Sequence, residues 1–274
     1  MLTSFLTWDN AADSERKAIA EHIAAAFGPD WKAVPQLRGS RKLAAVLHVP
    51  TGMEFVAIPG GTYTAGLHPD ELALMHTVEY QEDTATEWLE EIAGASPPRE
   101  VTVKPFLISR APLLVGQARE LGIEDAWVVG DDESDDSAVR YSKDQCEPIM
   151  HALPWRLPTG DEWEYVARDG GKNPFINGAT FEEAEEACDA LYDMDYDPDD
   201  DSREMNSLGV WGLPWGDWIA SPDAPRVPHA GRGGAAMLYP WQGDEIIMQL
   251  AGMADDGCGF DEQCVRFVVD LPAF

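Results

Sequence analysis

The chain has 274 residues, of which 45% are hydrophobic, which is enough to bury one large core. It carries 19 Lys and Arg against 50 Asp and Glu, a formal net charge of −31. A nucleic-acid backbone or an anionic lipid surface would repel such a chain, so we expect neither a nucleic-acid partner nor a membrane partner. A basic protein or peptide, Ca²⁺ or a high-salt environment is compatible with the charge, and the alternative is a surface whose acidity serves only solubility.

The first residues lack the features of a secretory signal. The stretch MLTSFLTWD at 1–9 has no basic region and no long apolar segment. Elsewhere the apolar runs are too short to span a bilayer. The sequence therefore predicts a cytoplasmic location.

The sequence predicts two parts: an N-terminal helical extension over residues 1–50, packed on a main domain of residues 51–274. Residues 13–27 are predicted to form an amphipathic helix, because large apolar side chains recur every four positions (Ile19, Ile23, Phe27). Asp13 or Ser14 is expected to cap its start, and Gly28-Pro29 to end it.

Short strands are predicted at three places. Residues 52–66 alternate in polarity on either side of a Pro-Gly-Gly turn, which indicates two short strands. A further strand is expected over residues 100–108, with Pro105 inside it, and a last one over 266–269. Residues 79–93 are acidic and predicted to be helical.

The clearest predicted helix starts after Thr159. Glu162 follows three residues later, which is the spacing of a capping box, and Trp163 begins the apolar stripe. The same capping pattern recurs at Thr180 and Glu183. These features indicate structure and carry no evidence of catalysis.

Four segments together resemble the formylglycine-generating-enzyme family, also called sulfatase-modifying factors. They are FVAIPGGTY at 55–63, VTVKPFLISRAP at 101–112, WRLPTGDEWEYVARDGG at 155–171, and GRGG at 231–234 together with VRFV at 265–268. The third is similar to the most diagnostic stretch of the family nearly residue for residue. The resemblance implies an α+β fold, the family's variant of the C-type-lectin fold, with few strands, two or more helices and much irregular loop.

The resemblance does not extend to the residues of the family's reaction. In the oxidases of the family, two cysteines that bind copper(I) follow the Arg-Gly-Gly-Ser-Trp segment, and with oxygen they convert a substrate cysteine to formylglycine. Here residues 233–245 contain neither cysteine nor histidine. The interpretation that we favour is a non-catalytic member without a copper cofactor. The alternative is a copper-dependent oxidase that uses Cys258 and Cys264, and the sequence leaves open whether these two are paired.

Two stretches of the sequence are candidates for a calcium site. The family's calcium site uses an Asn and a Glu before a Trp; this chain has Asp217-Trp218 there and lacks the Asn, so that site is expected to be lost. A separate acidic run has oxygens at the EF-hand spacing, at Asp193, Asp195, Asp197, Asp199, Asp201 and Glu204. Pro198 stands where that loop needs a glycine. The run is either a calcium site or a solvated loop.

The remaining candidates are aromatic residues in the last third of the chain. If exposed, they would supply contact area for a ligand, and the candidates are Tyr239, Trp241, Trp215 and Trp218. The alternative for each is a place in the core. With the acidic charge, the sequence favours a binding or recognition module with a protein or peptide partner of basic character.

Overall fold

The structure is a computed structural model that describes residues 1–76, 90, 94, 96–123, 127–128, 134–191, 206–233, 250–253 and 261–272. Its named α-helices are α1 (Phe5–Asp9), α2 (Asp13–Phe27), α3 (Pro69–Met75), α4 (Val115–Glu120), α5 (Lys143–Ala152), α6 (Gly160–Ala167) and α7 (Phe181–Leu191). A short 3₁₀ turn covers Leu213–Trp215. The strands are β1 (Trp31–Ala33), β2 (Ala45–His48), β3 (Met53–Ile58), β4 (Gly61–Ala65), β5 (Arg99–Val103), β6 (Phe106–Ser109), β7 (Trp127–Val128), β8 (Val139–Ser142), β9 (Asp217–Ala220), β10 (Pro228–Arg232), β11 (Glu262–Cys264) and β12 (Val268–Asp270).

These strands form three sheets. The first sheet has the order β1-β2-β3-β6-β12 and is antiparallel throughout. The second has the order β10-β9-β11-β8-β7, with one parallel contact between β11 and β9. A two-stranded sheet joins β4 to β5. Helices and small antiparallel sheets with long irregular connections make this an α+β fold, as predicted.

The Pro-Gly-Gly turn separates two strands as predicted, but they do not pair with each other. β3 lies between β2 and β6, whereas β4 pairs with β5. A Cβ atom on Gly61 would collide with the hydroxyl of Tyr165. The turn is therefore a corner between two sheets, and a glycine is required where the chain passes that hydroxyl.

The strand predicted over residues 100–108 is two strands in two different sheets. β5 ends at Val103 and β6 begins at Phe106, and the break falls at Lys104-Pro105. Proline has no N–H to donate to a ladder, so the chain leaves one sheet at this point and enters the other.

The first 50 residues contribute two strands to the first sheet as well as α1 and α2. α2 has the predicted bounds, but its N-cap is Ala12, and the carboxylate of Glu15 accepts a hydrogen bond from the Ala12 N–H at 2.8 Å. This replaces the caps expected at Asp13 or Ser14. Ile23 is fully buried and Trp8 donates from its indole to the carbonyl of Arg41 at 3.2 Å.

The capping box predicted at Thr159 is confirmed, whereas the one predicted at Thr180 is only half formed, because the Glu183 carboxylate accepts from the Ala179 N–H at 2.8 Å instead of from the Thr180 N–H. At α6, the N–H of Glu162 donates to Thr159 Oγ1 at 3.2 Å, and the N–H of Thr159 donates to the Glu162 carboxylate at 2.9 Å. At α7, the N–H of Glu183 donates to Thr180 Oγ1 at 3.2 Å. Trp163 is buried in the core, as the apolar stripe predicted.

Of two other predictions, one is shifted in the structure and one falls outside the described residues. The last strand covers Val268–Asp270 instead of residues 266–269, because Arg266 points into the core and bonds there. The helix predicted over 79–93 lies outside the described residues, apart from residue 90. Among the described helices, none is long and apolar enough to cross a bilayer.

Candidate functional site

The segment at 155–171, which contains α6, makes contacts that hold parts of the fold together. Arg156 donates two hydrogen bonds to the Glu162 carboxylate, both 2.7 Å, and another of 2.7 Å to Asp270. Arg168 is 1% exposed and bridges Glu71 of α3 and Glu164 of α6. Both arginines thus pair with carboxylates and connect different parts of the chain.

A buried ion pair lies between the two larger sheets. Arg266 donates from Nε to Asp217 Oδ2 at 2.8 Å, and both side chains are fully buried. Trp163 donates from its indole to the same oxygen at 2.9 Å. The other nitrogens of Arg266 donate to the carbonyls of Ser109 and Arg110 at 3.1 and 3.2 Å. This pair therefore fixes the chain just after β6.

One cavity on the first sheet is large enough for a ligand. It has a volume of about 640 Å³ and is called the sheet groove below. Its floor is a row of side chains from neighbouring strands, Lys32, Leu47 and Glu54, which the register places opposite one another. Ligand pockets commonly measure about 300–1,000 Å³, so the volume suits a small molecule or a short peptide segment.

The sheet groove has apolar sides and one buried charged pair. Pro35, Leu47, Ala111 and Pro112 are among its lining residues. Arg38 binds the Glu54 carboxylate with both a 2.6 Å and a 2.9 Å bond, and the two side chains are only 6% and 8% exposed. Such a two-bond pair holds its geometry, so the floor is ordered before a ligand arrives.

One side of the groove is acidic. Glu120, Asp135 and Asp136 line the groove beside α4 and are exposed; they are called the α4 bank. Arg119 pairs with Asp135. The N–H groups of Val115 and Gly116 donate to the backbone carbonyls of Ser137 and Asp135 at 2.9 and 2.8 Å. The helix start is thus satisfied by the protein itself, and the bank presents negative charge.

Two of the aromatic candidates are not on a surface. Trp215 is 3% exposed and Trp218 is 1% exposed. Trp218 donates from its indole to the carbonyl of Tyr141 at 2.6 Å, and the Trp215 ring meets Trp211 edge-on at 4.5 Å. This corrects the expectation of an exposed aromatic face at these positions: both rings pack in the core, because β9 and the turn before it are buried along their whole length.

Cys264 lies in β11 and is fully buried. Burial, and next the nearby Asp217 carboxylate, raise the pKa of its thiol to about 12. Copper(I) binds thiolates, so a thiol held protonated and away from solvent is a poor ligand. Its proposed companion, Cys258, lies outside the described residues.

Several other predicted residues also lie outside the described part of the chain. They are Tyr239 and Trp241 of the aromatic set, and Asp193, Asp195, Asp197, Asp199, Asp201 and Glu204 of the acidic run. Within the described ranges, no cluster of three or more His, Cys, Asp or Glu side chains has the geometry to hold a metal.

The groove residues were not singled out from the sequence. The polarity alternation of β3 could have marked Glu54 as facing away from Phe55, and Pro35 and Pro112 mark irregular chain. However, the groove combines β1–β3, the chain after β6 and α4, and only the tertiary structure brings these together.

No protein-family model matches the sequence, and no curated protein matches it significantly. Among solved structures, the chain is similar to PvdO from Pseudomonas aeruginosa. The two share 19% sequence identity over 81% of this chain and 95% of that chain, with a TM-score of 0.43. We draw no conclusion about family or activity from this distant likeness.

Proposed function

We propose that this protein is a non-catalytic member of the formylglycine-generating-enzyme fold family, and that it recognises a protein or peptide partner in the sheet groove. The observation that carries the proposal is the groove itself: about 640 Å³, open, and ordered by a buried ion pair in its floor. A site that is preformed loses less entropy when a ligand binds.

Two further observations support a binding function over thiol chemistry. The family's oxidases carry their copper ligands in the segment that corresponds to residues 233–245. Here that segment contains no cysteine or histidine. Cys264, which the alternative requires, is buried with a thiol pKa of about 12. The family assignment rests on the four similar segments and remains part of the proposal.

The groove can be tested by selecting a displayed library of random peptides on the folded protein. Leu47→Trp places a large ring on the groove floor, whereas Leu74→Trp is the matched control, because Leu74 is exposed on α3 and does not line the groove. We expect peptides selected on the parent protein to bind the Leu74 variant and to lose binding to the Leu47 variant.

Two outcomes would contradict the proposal. Peptides that bind the Leu47→Trp variant as well as the parent would place recognition elsewhere. In parallel, the reduced protein with copper(I), oxygen and a cysteine-containing peptide is expected to leave the peptide mass unchanged. Conversion of its thiol to an aldehyde would favour the oxidase instead.

A further inference from the structure

The sheet groove is charged differently on its two sides. Lys32 lies at the β1 end of the floor; it is exposed and forms no ion pair with any described residue. Glu120, Asp135 and Asp136 form the α4 bank on the other side, where Arg119 pairs with Asp135. A ligand that crosses the groove therefore meets the ammonium group of Lys32 at one side and exposed carboxylates at the other.

The floor between these two sides is apolar in its middle. Leu47 is half-buried between Lys32 and Glu54, and Glu54 is already neutralised by Arg38. Neighbouring strands are about 4.8 Å apart, so Lys32 and Glu54 are separated by roughly 10 Å across the floor. An extended peptide rises about 3.3 Å per residue, so about three residues cross this distance.

We propose, on the basis of the groove-binding function above, that the occupant is an extended peptide segment with an apolar side chain over Leu47 and a lysine or arginine on the α4 bank. The apolar residue gains from burial against Leu47, Pro35 and Pro112. The basic residue gains from Glu120 and Asp136, and the opposite charge at Lys32 sets the direction in which the segment lies.

The position of the acidic bank also determines how strongly charge contributes. Its carboxylates are exposed, with Asp135 having 68% of its side chain accessible, so salt screens them. We therefore expect the apolar contact to decide whether a peptide binds, and the bank to decide which peptide binds. Binding should weaken as ionic strength rises.

The test uses fluorescein-labelled, end-capped peptides of the sequences Leu-Arg-Leu-Arg-Leu, Leu-Ser-Leu-Ser-Leu and Leu-Glu-Leu-Glu-Leu, with fluorescence anisotropy on the whole protein. We expect the arginine peptide to bind most tightly and the glutamate peptide least tightly. Glu120→Gln with Asp136→Asn should weaken arginine-peptide binding about three- to tenfold, since each exposed contact contributes modestly.

A protein of net charge −31 attracts any cationic peptide. The control is therefore a variant that loses the same number of carboxylates at a place away from the groove. Glu182→Gln with Glu185→Gln removes two exposed charges from α7, away from the groove, and should leave arginine-peptide affinity unchanged. Thermal unfolding followed by circular dichroism confirms that both double variants fold.

Equal losses in the two double variants would overturn the charge assignment, because they would show attraction to the whole surface. Equal binding of the arginine and serine peptides, both abolished by Leu47→Trp, would also overturn it, but would leave the groove as the binding site. Binding that Leu47→Trp does not affect would overturn this inference and the proposed function together.

Discussion

Arg266 and Asp217 form an ion pair in which both side chains are fully buried, with 2.8 Å between Nε and Oδ2. Through its remaining nitrogens Arg266 also holds the carbonyls of Ser109 and Arg110. Ser109 lines the sheet groove. This fully buried charge pair therefore also supports one side of the groove.

Removing one member of this pair should be costly. Arg266→Met leaves the Asp217 carboxylate buried without its cation and removes the bonds that Arg266 donates to the carbonyls of Ser109, Arg110 and Trp211. We expect the free energy of unfolding to fall by about 3–5 kcal/mol. Urea denaturation with two probes of folding measures it.

The control for this change is Arg99→Met. Arg99 pairs with Asp161 at the surface, where 52% and 35% of the two side chains are exposed. This change should cost at most about 1 kcal/mol. Similar losses for the two variants would show that the buried pair contributes no more than a surface one.

The cap of α6 should contribute measurably to stability. Thr159→Ala removes the oxygen that accepts from the Glu162 N–H, and we expect a loss of about 1 kcal/mol. Thr159→Ser keeps that acceptor and should stay within a few tenths of a kcal/mol of the parent. If the serine variant lost as much as the alanine variant, packing of the threonine methyl group would be the cause instead.

His48 should make stability depend on pH. Its ring lies 4.9 Å from those of Trp31 and Trp155, and burial lowers its pKa below 6.5, partly opposed by Asp30. The unfolded chain then binds the proton more readily than the folded protein. The stabilising contribution of neutral His48 is thus present above about pH 6.5 and is lost as pH falls through the lower folded pKa.

Urea denaturation between about pH 7 and pH 5 checks this sign. His48→Gln should flatten the decline of the unfolding free energy with falling pH. His151→Gln is the control, because that side chain is 78% exposed on α5. An unchanged slope in the His48 variant would exclude this histidine as the source.

Two buried cysteines, Cys146 and Cys264, should be inert in the folded protein. Burial raises the thiol pKa of Cys146 to about 12, as it does for Cys264. Iodoacetamide at about pH 8 should therefore leave both unmodified until the chain is denatured, since the thiolate is the reactive form. Peptide mapping by mass spectrometry identifies each site. Rapid modification of Cys264 in the native protein would revive the copper alternative.

The sequence predicted the features that neighbouring residues form, and it did not predict those that depend on distant residues. The capping box at Thr159 and the bond from the Glu183 N–H to Thr180 are contacts between residues three apart, so their spacing alone predicted them. The corner at Gly61 was predicted as a turn, but the need for glycine there comes from Tyr165, far along the chain, and β3 and β4 join different sheets. Sheet pairing is a long-range property, which local polarity does not determine.

The candidate site was the least predictable part. Trp218 was considered for a surface because large aromatic residues are common at interfaces, yet it is 1% exposed. Leu47 and Glu120, in contrast, have ordinary local sequence and became notable only when the fold placed them at one groove. Sequence reasoning recognises residue types, whereas a groove depends on which elements leave space between them.

The most direct test of the account is where a peptide contacts the protein. Methyl-labelled protein can be titrated with the Leu-Arg-Leu-Arg-Leu peptide and followed by NMR. We predict that the methyl resonances of Leu47, Met53 and Leu114, which line the sheet groove, shift, while that of Leu74 does not. Shifts confined to methyl groups outside the groove, or no shift at saturating peptide, would contradict the claim that this protein recognises a peptide there.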